Sequence, residues 1–164
     1  MKIPVYSFIA YSGTGKTTVM VGLIKELKRR GLKVAAIKHD AHDFEIDREG
    51  KDSYRMSKAG SAITVILSNS KCAFVENRPV DIAKIIERIE DVDLILTEGY
   101  SHGNWNKIGI YRKESGKPLK IDENDCFAIC TDEKLNFPCK QFNLEDYKGL
   151  ATFIIKDLKK NLPQ

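Results

Sequence analysis

The sequence predicts an α/β fold, a mainly parallel β-sheet with helices on both faces, and three observations predict it. A β-branched and aromatic run, "KIPVYSFIA" (2–10), leads into a glycine-rich turn, an amphipathic stretch and a short apolar run, "KVAAIKH" (33–39); this is a strand–helix–strand unit. The run "VDLILTEG" (92–99) is apolar without alternation, as a strand buried on both faces is. The closing "LEDYKGLATFIIKDLKK" has the spacing of a helix with one apolar face. With 164 residues, 42% hydrophobic and 30% charged, the chain has the material for a real core and suits one domain over 1–164.

The first strand ends at the glycine turn. After it Val19, Leu23, Ile24 and Leu27 recur at helical spacing while Lys25, Lys28 and Arg29 face away. Lys28-Arg29-Arg30-Gly31 closes that helix, because cations complement the last carbonyls and glycine accepts the positive φ beyond them. The polar segment 40–60 reads as an exposed loop or small hairpin, then a short helix from Asp52 to Lys58. "SAITVILSNS" (61–70) and "KCAFVEN" (71–77) read as two strands. Pro79 opens a helix to Glu90 with Ile82, Ile85, Ile86 and Ile89 as its buried stripe, and "KIGIYR" and "CFAICTD" add further strands.

Composition excludes several classes. The net charge of +4 is scattered, without the basic stripe and module of a nucleic-acid binder. No apolar run approaches the roughly 20 residues of a membrane helix, and the N-terminus enters a strand without the layout of a signal peptide, so a soluble cytoplasmic protein is expected. Cys72, Cys126, Cys130 and Cys139 lack C-x-x-C spacing and read as reduced core cysteines.

The strongest chemical signal is Ala10-Tyr11-Ser12-Gly13-Thr14-Gly15-Lys16-Thr17, followed by Thr18. It fits the Walker A pattern G-x-x-x-x-G-K-[ST] with alanine at the first position, and it stands between a strand and a helix as a P-loop must. Gly13 and Gly15 let successive N–H groups surround a phosphate, and the following helix adds its positive end. Lys16 would reach the β- and γ-phosphates and Thr17 would join Mg²⁺. A serine- and glycine-rich cap would leave Lys16 unexplained at a helix start, where the dipole disfavours cations. The expectation is therefore a single-domain P-loop NTPase fold.

In an open parallel sheet, ligands lie beyond the carboxyl ends of the strands. Glu98-Gly99 closes an apolar strand there, as a Walker B element would, with Glu98 a second candidate Mg²⁺ ligand and Gly99 allowing close approach of the nucleotide. The segment 39–53 carries His39, His42, Asp43, Asp47, Lys51, Asp52 and Ser53, and three readings stay open: a metal site on His39, His42 and Asp43, a lid with Asp43 or Asp47 near the γ-phosphate, or a solvated loop. Asp132, after "CFAICT", could accept two hydrogen bonds from the N1–H and 2-amino group of guanine, although a full N-K-x-D motif is absent.

"SGTGKTT", "IKHDAHDFEIDREGKDSYRMSKAG" and "DLILTEGY" together resemble the molybdopterin-guanine dinucleotide biosynthesis protein B (MobB) family. The middle stretch is the most specific part, and the resemblance runs over essentially the whole chain. It implies a weakly hydrolytic, dimeric GTP-binding protein that acts with a guanylyltransferase joining GMP to molybdopterin, with molybdopterin itself a candidate ligand. Carried over, Gly13 to Thr18 hold phosphates, Glu98 lies on the Mg²⁺ side, and His39, His42, Asp43, Asp47, Lys51, Asp52 and Ser53 line the cleft; Ser12 joins the nucleotide-binding candidates, and Lys16, Asp43 and Asp47 are the catalytic candidates. Tyr100 occupies the aromatic position after Glu-Gly. Fast hydrolysis needs a cation at the transferring phosphoryl group. Arg48 and Arg55 are the arginines near the relevant loop, and nothing marks either for that role, so weak turnover is expected. Rivals are a metallochaperone-type GTPase and a small-molecule kinase or ligase of the dethiobiotin synthetase sort.

Overall fold

A computed structural model describes residues 2–39 and 44–160. The chain divides into two compact units, Met1–His39 with Asp91–Gln164, and Asp40–Glu90. In the first, six strands form one sheet: β1 (Val5–Ile9), β2 (Val34–Lys38), β5 (Leu94–Glu98), β6 (Asn106–Tyr111), β7 (Cys126–Thr131) and β8 (Lys140–Asn143), in the order β2-β5-β1-β6-β7-β8. Every pairing in it is parallel. The register sets Lys38 beside Glu98 and Glu98 beside Phe8, so the carboxyl ends of β2, β5 and β1 come level at one edge. All of β1 is buried, and in β5 only Glu98 is not, as continuous apolar runs require at the centre of a sheet.

Helices α1 (Lys16–Arg29) and α4 (Tyr147–Lys160) pack against each other on one face. There Val19, Leu23 and Leu27 of α1 and Leu150, Ala151 and Ile154 of α4 meet Tyr6, Phe8, Leu96, Ile108 and Cys130 in one core. Gly22 makes this approach possible: a methyl group on it would lie 2.4 Å from the Tyr147 ring. Asp146 caps α4 by accepting from Gly149 N at 2.9 Å. The sequence predicts helices on both faces. Within this unit the opposite face is covered over β6 and β7 by Leu119 and Ile121, whose side chains fit against side-chain-free Gly109.

The second unit holds α2 (Asp52–Lys58), the antiparallel pair β3 (Ile63–Leu67) and β4 (Cys72–Glu76), and α3 (Ile82–Glu87). The expected strands are present as a separate two-stranded sheet. Asp81 caps α3 through Ala83 N at 2.7 Å. That helix is six residues long, and none of Ile82, Ile85, Ile86 or Ile89 is fully buried, which corrects the reading of a long helix with a buried stripe. The chain becomes helical only after Asp81 and leaves the helix after Glu87; the four isoleucines are the half-buried positions and the residues between them are exposed, so the stripe is present but only partly covered.

A second correction concerns the cysteines. Cys126 and Cys139 form a disulfide, while Cys130 is buried and Cys72 exposed as free thiols. The pairing depends on β8, a strand the periodicity did not announce. Once β8 lies beside β7 with Ala128 opposite Lys140, Cys126 at the start of β7 and Cys139 just before β8 are neighbours, their Cα atoms 6.0 Å apart. Burial pushes the Cys130 thiol up to about 12, as an inert core cysteine should be.

Candidate functional site

The segment from Ala10 to Gly15 leaves β1 and turns into α1 through two left-handed glycines, Gly13 at φ +80° and Gly15 at φ +94°. The first turn of α1 has neither a capping side chain nor an acidic residue, so its free N–H groups keep their affinity for an external anion. Thr14 is buried, and its Oγ1 donates to Tyr11 O at 2.8 Å, fixing the curl of the loop. Lys16 Nζ donates to the same carbonyl at 2.9 Å. Burial lowers the Lys16 pKa, Glu98 pulls it back up, and Lys120, Lys117 and Lys38 push it down again.

Thr17 and Glu98, the two residues read as metal ligands, come together across 81 positions of sequence. Thr17 Oγ1 donates to both carboxylate oxygens of Glu98, at 3.0 and 2.8 Å. A hydroxyl and a carboxylate side by side, at the mouth of a phosphate-binding loop, are the oxygen donors that a hexacoordinate Mg²⁺ takes from protein while phosphates and water supply the rest. The donor set therefore fits the ion.

His39 also reaches this edge. Its N–H donates to Glu98 O at 2.8 Å, and its ring meets Tyr100 edge-on at 4.8 Å, with Trp105 next at 5.9 Å from Tyr100. Gly99, at φ +101°, is needed for His39: a methyl group there would stand 2.9 Å from His39 O. The close approach that this glycine permits is thus between β2 and β5 of the protein itself. Asp132 lies past β7 with its carboxylate accepting from Lys113 N at 2.9 and 3.3 Å, and Glu133 beside it binds Tyr111 and Lys113. Ser12, Thr17 and Thr18 are exposed. A cleft of ≈ 850 Å³ opens from Thr17 and Thr18 along α1 toward Asp146 and Tyr147.

Asp47, Lys51, Asp52 and Ser53 belong to the second unit. Asp47 lies in the loop before α2 and accepts from Arg48 N at 2.8 Å; Lys51 precedes α2, and Asp52 and Ser53 open it. Asp40, His42 and Asp43 lie outside the described residues. Sequence reasoning missed the stretch "YRKESGKPLK" (111–120), which carries four cations and one carboxylate immediately after a strand. Lys117 Nζ donates to Ser12 O at 2.6 Å, and Lys120 lies over the Tyr11 ring at 5.2 Å. The Arg112 guanidinium lies against the loop, its Nη2 and Nε 3.4 and 3.7 Å from where a methyl group on Gly15 would be.

A family model described as molybdopterin guanine dinucleotide synthesis protein B matches residues 5–132. The chain belongs to the MobB family. It is 36% identical to the molybdopterin-guanine dinucleotide biosynthesis adapter protein of Escherichia coli strain K12, over 96% of this chain and 95% of that one. The corresponding adapter protein of Haemophilus influenzae is 32% identical, covering 93% and 88%. A crystal structure of molybdopterin-guanine biosynthesis protein B superimposes with a TM-score of 0.72 at 27% identity, over 94% of this chain and 99% of that one. The structure of Bacillus subtilis MobB, at 23% identity and a TM-score of 0.74 over 95% and 98%, shares the fold. The loop, Glu98 and Arg112 all fall inside the region that the MobB model matches. Among the described residues no helix is long and apolar enough to cross a membrane.

Proposed function

We propose that the protein is a GTP-binding adaptor of molybdenum cofactor biosynthesis, assisting a guanylyltransferase that attaches GMP to molybdopterin. The observation that carries the nucleotide half is the contact of Thr17 with Glu98 at the end of an uncapped, glycine-wound loop. The adaptor half rests on membership of the MobB family and on the names of its relatives. In this reading Ser12 to Thr18 hold the phosphates, Thr17 and Glu98 would hold Mg²⁺, which would supply positive charge against the phosphates, and Lys16 carries charge to the outer phosphates. Asp132 reads the base, at the hollow past β7 that it lines with Thr131, Glu133 and Lys134. His39, Lys51, Asp52 and Ser53 contribute to nucleotide binding, and Asp43 and Asp47 serve hydrolysis. Turnover is weak, the protein works as a homodimer in the cytoplasm, and molybdopterin is a candidate second ligand.

Calorimetry of GTP and ATP with Mg²⁺, on wild type and Lys16→Ala, tests this. Tighter binding of GTP than of ATP, lost in the variant, is the expected result. Tighter binding of ATP would remove the guanine-nucleotide reading. Adding the protein to a guanylyltransferase with molybdopterin and GTP should raise the yield of the guanine dinucleotide; no change would remove the adaptor reading.

A further inference from the structure

The chain has seven arginines, and five of them are held by carboxylates. Arg29 and Arg30 share Glu26, Arg55 approaches Asp52, and Arg78 and Arg88 share Glu76. Arg48 is exposed. Arg112 is different: it is half-buried, and among the described residues its guanidinium has no carboxylate or other hydrogen-bond partner. A guanidinium stays charged at any ordinary pH, and a partly desolvated charge without a counter-ion is unfavourable. The position invites an anion.

The backbone around Arg112 is built to hold it in place. Its carbonyl accepts from Ser115 N at 3.1 Å and Ser115 Oγ at 2.6 Å, and Gly116 turns the chain at φ +63°. The turn then delivers Lys117 to Ser12 O, so the segment grips the P-loop at both ends, with Arg112 at Gly15 and Lys117 at Ser12. Glu98 and Thr17 belong to the β5 side of β1, whereas Arg112 follows β6 on the other side. Lys16 therefore has the Glu98 carboxylate on one flank and, on the other, Arg112 and Lys117, which among the described residues have no carboxylate partner.

We propose that Arg112 is a phosphate-binding residue of this site, donating its planar pair of N–H groups to phosphoryl oxygens of the nucleotide in the P-loop. This rests on the nucleotide reading above and goes beyond it, by naming a cation in the same chain that the loop motif does not contain. A phosphate suits the position because it offers several oxygens to a forked donor and brings the charge that the surrounding lysines leave unbalanced. Lys117 is a positioning residue, acting through the Ser12 carbonyl on the shape of the loop.

The test is calorimetric titration of Mg²⁺ with GTP, GDP and GMP into wild type, Arg112→Ala, Arg112→Lys and Lys16→Ala, with the melting temperature of each ligand-free protein. Arg112→Ala should weaken GTP binding about 10- to 100-fold, the scale for losing a charge-assisted hydrogen bond. The loss should shrink from GTP to GMP, Arg112→Lys should recover part of it, and millimolar guanidinium should rescue part of it in the alanine variant. The ligand-free melting temperature should not fall, because among the described residues the guanidinium has no partner to lose; a structural arginine would lower it. Unchanged GTP affinity in Arg112→Ala, while Lys16→Ala abolishes binding, overturns the inference and leaves the nucleotide reading standing. Wild type that binds no nucleotide overturns both.

Discussion

Strands β5 and β3 read almost alike, "LILTE" and "ITVIL", yet they end in opposite surroundings. In β5 every residue but Glu98 is buried; in β3 only Thr64 is. β5 has a partner on each side and helices over one face, whereas β3 pairs with β4 alone. A two-stranded ribbon has too few neighbours to cover either of its faces. Leu67 and Phe74 are accordingly 76% and 69% exposed, while Leu94, Ile95 and Leu96 are fully buried. Apolar sequence shows where burial is wanted, and the number of neighbouring elements determines whether it occurs. The same division separates the glycine-wound loop, Glu98 and Arg112, which belong to the firmly packed unit, from the exposed Leu67 and Phe74 of the second.

The most direct way to break this comparison is a pair of truncations. Leu96→Ala should destabilise the protein by about 3 kcal/mol in denaturant titrations, the usual cost of a cavity in a closed core. Leu67→Ala should change stability by less than about 0.5 kcal/mol. A Leu67→Ala effect that grows with protein concentration would sharpen the contrast, since it would mean that a second copy covers the hairpin in solution.

Next in size is the disulfide. Closing the loop between Cys126 and Cys139, 13 positions apart, restricts the unfolded chain, and Cys139→Ser should lower stability by about 2 to 3 kcal/mol. Thiol titration of the unfolded, unreduced protein should count two free groups, Cys72 and Cys130; four would refute the bridge.

The smallest effect concerns acid. Each unit has one carboxylate gripped by two arginines, Glu26 in α1 and Glu76 in β4. Hydrogen bonds from Arg29 and Arg30 hold Glu26 down at about 2, against 4.5 for a free glutamate. A depressed carboxylate stabilises the folded state above its unfolded pKa, and that contribution fades as pH falls from about 4.5 toward 2. Glu76 is lowered by Arg88 and Arg78 in the same sense. Stability measured in that window should fall less steeply in Glu26→Gln than in wild type. Parallel curves would show that the arginines do not act through this carboxylate.

The P-loop was legible in the sequence because its chemistry is local. Eight consecutive residues supply the glycines, the lysine and the hydroxyl, and the strand and helix around them announce themselves by periodicity. Glu98 was legible for a related reason, since an acidic residue ending a non-alternating apolar run must emerge at a sheet edge. Segment 111–120 looked like an ordinary basic loop, because nothing within it shows that β6 pairs with β1 and carries Arg112 to Gly15. The disulfide was hidden in the same way behind the unannounced β8, and the shortness of α3 behind the cap at Asp81.

By itself, then, the sequence determined the elements that nearest neighbours along the chain can specify: the strand–loop–helix start, the central buried strand, the phosphate loop and the family. The tertiary structure alone decided which distant residues meet, namely Thr17 with Glu98, Arg112 with Gly15 and Cys126 with Cys139. The physical reason is that hydrophobic periodicity encodes which face of an element seeks cover but carries no address for the partner. Strand order and register supply that address, and they are settled by the packing of the whole sheet.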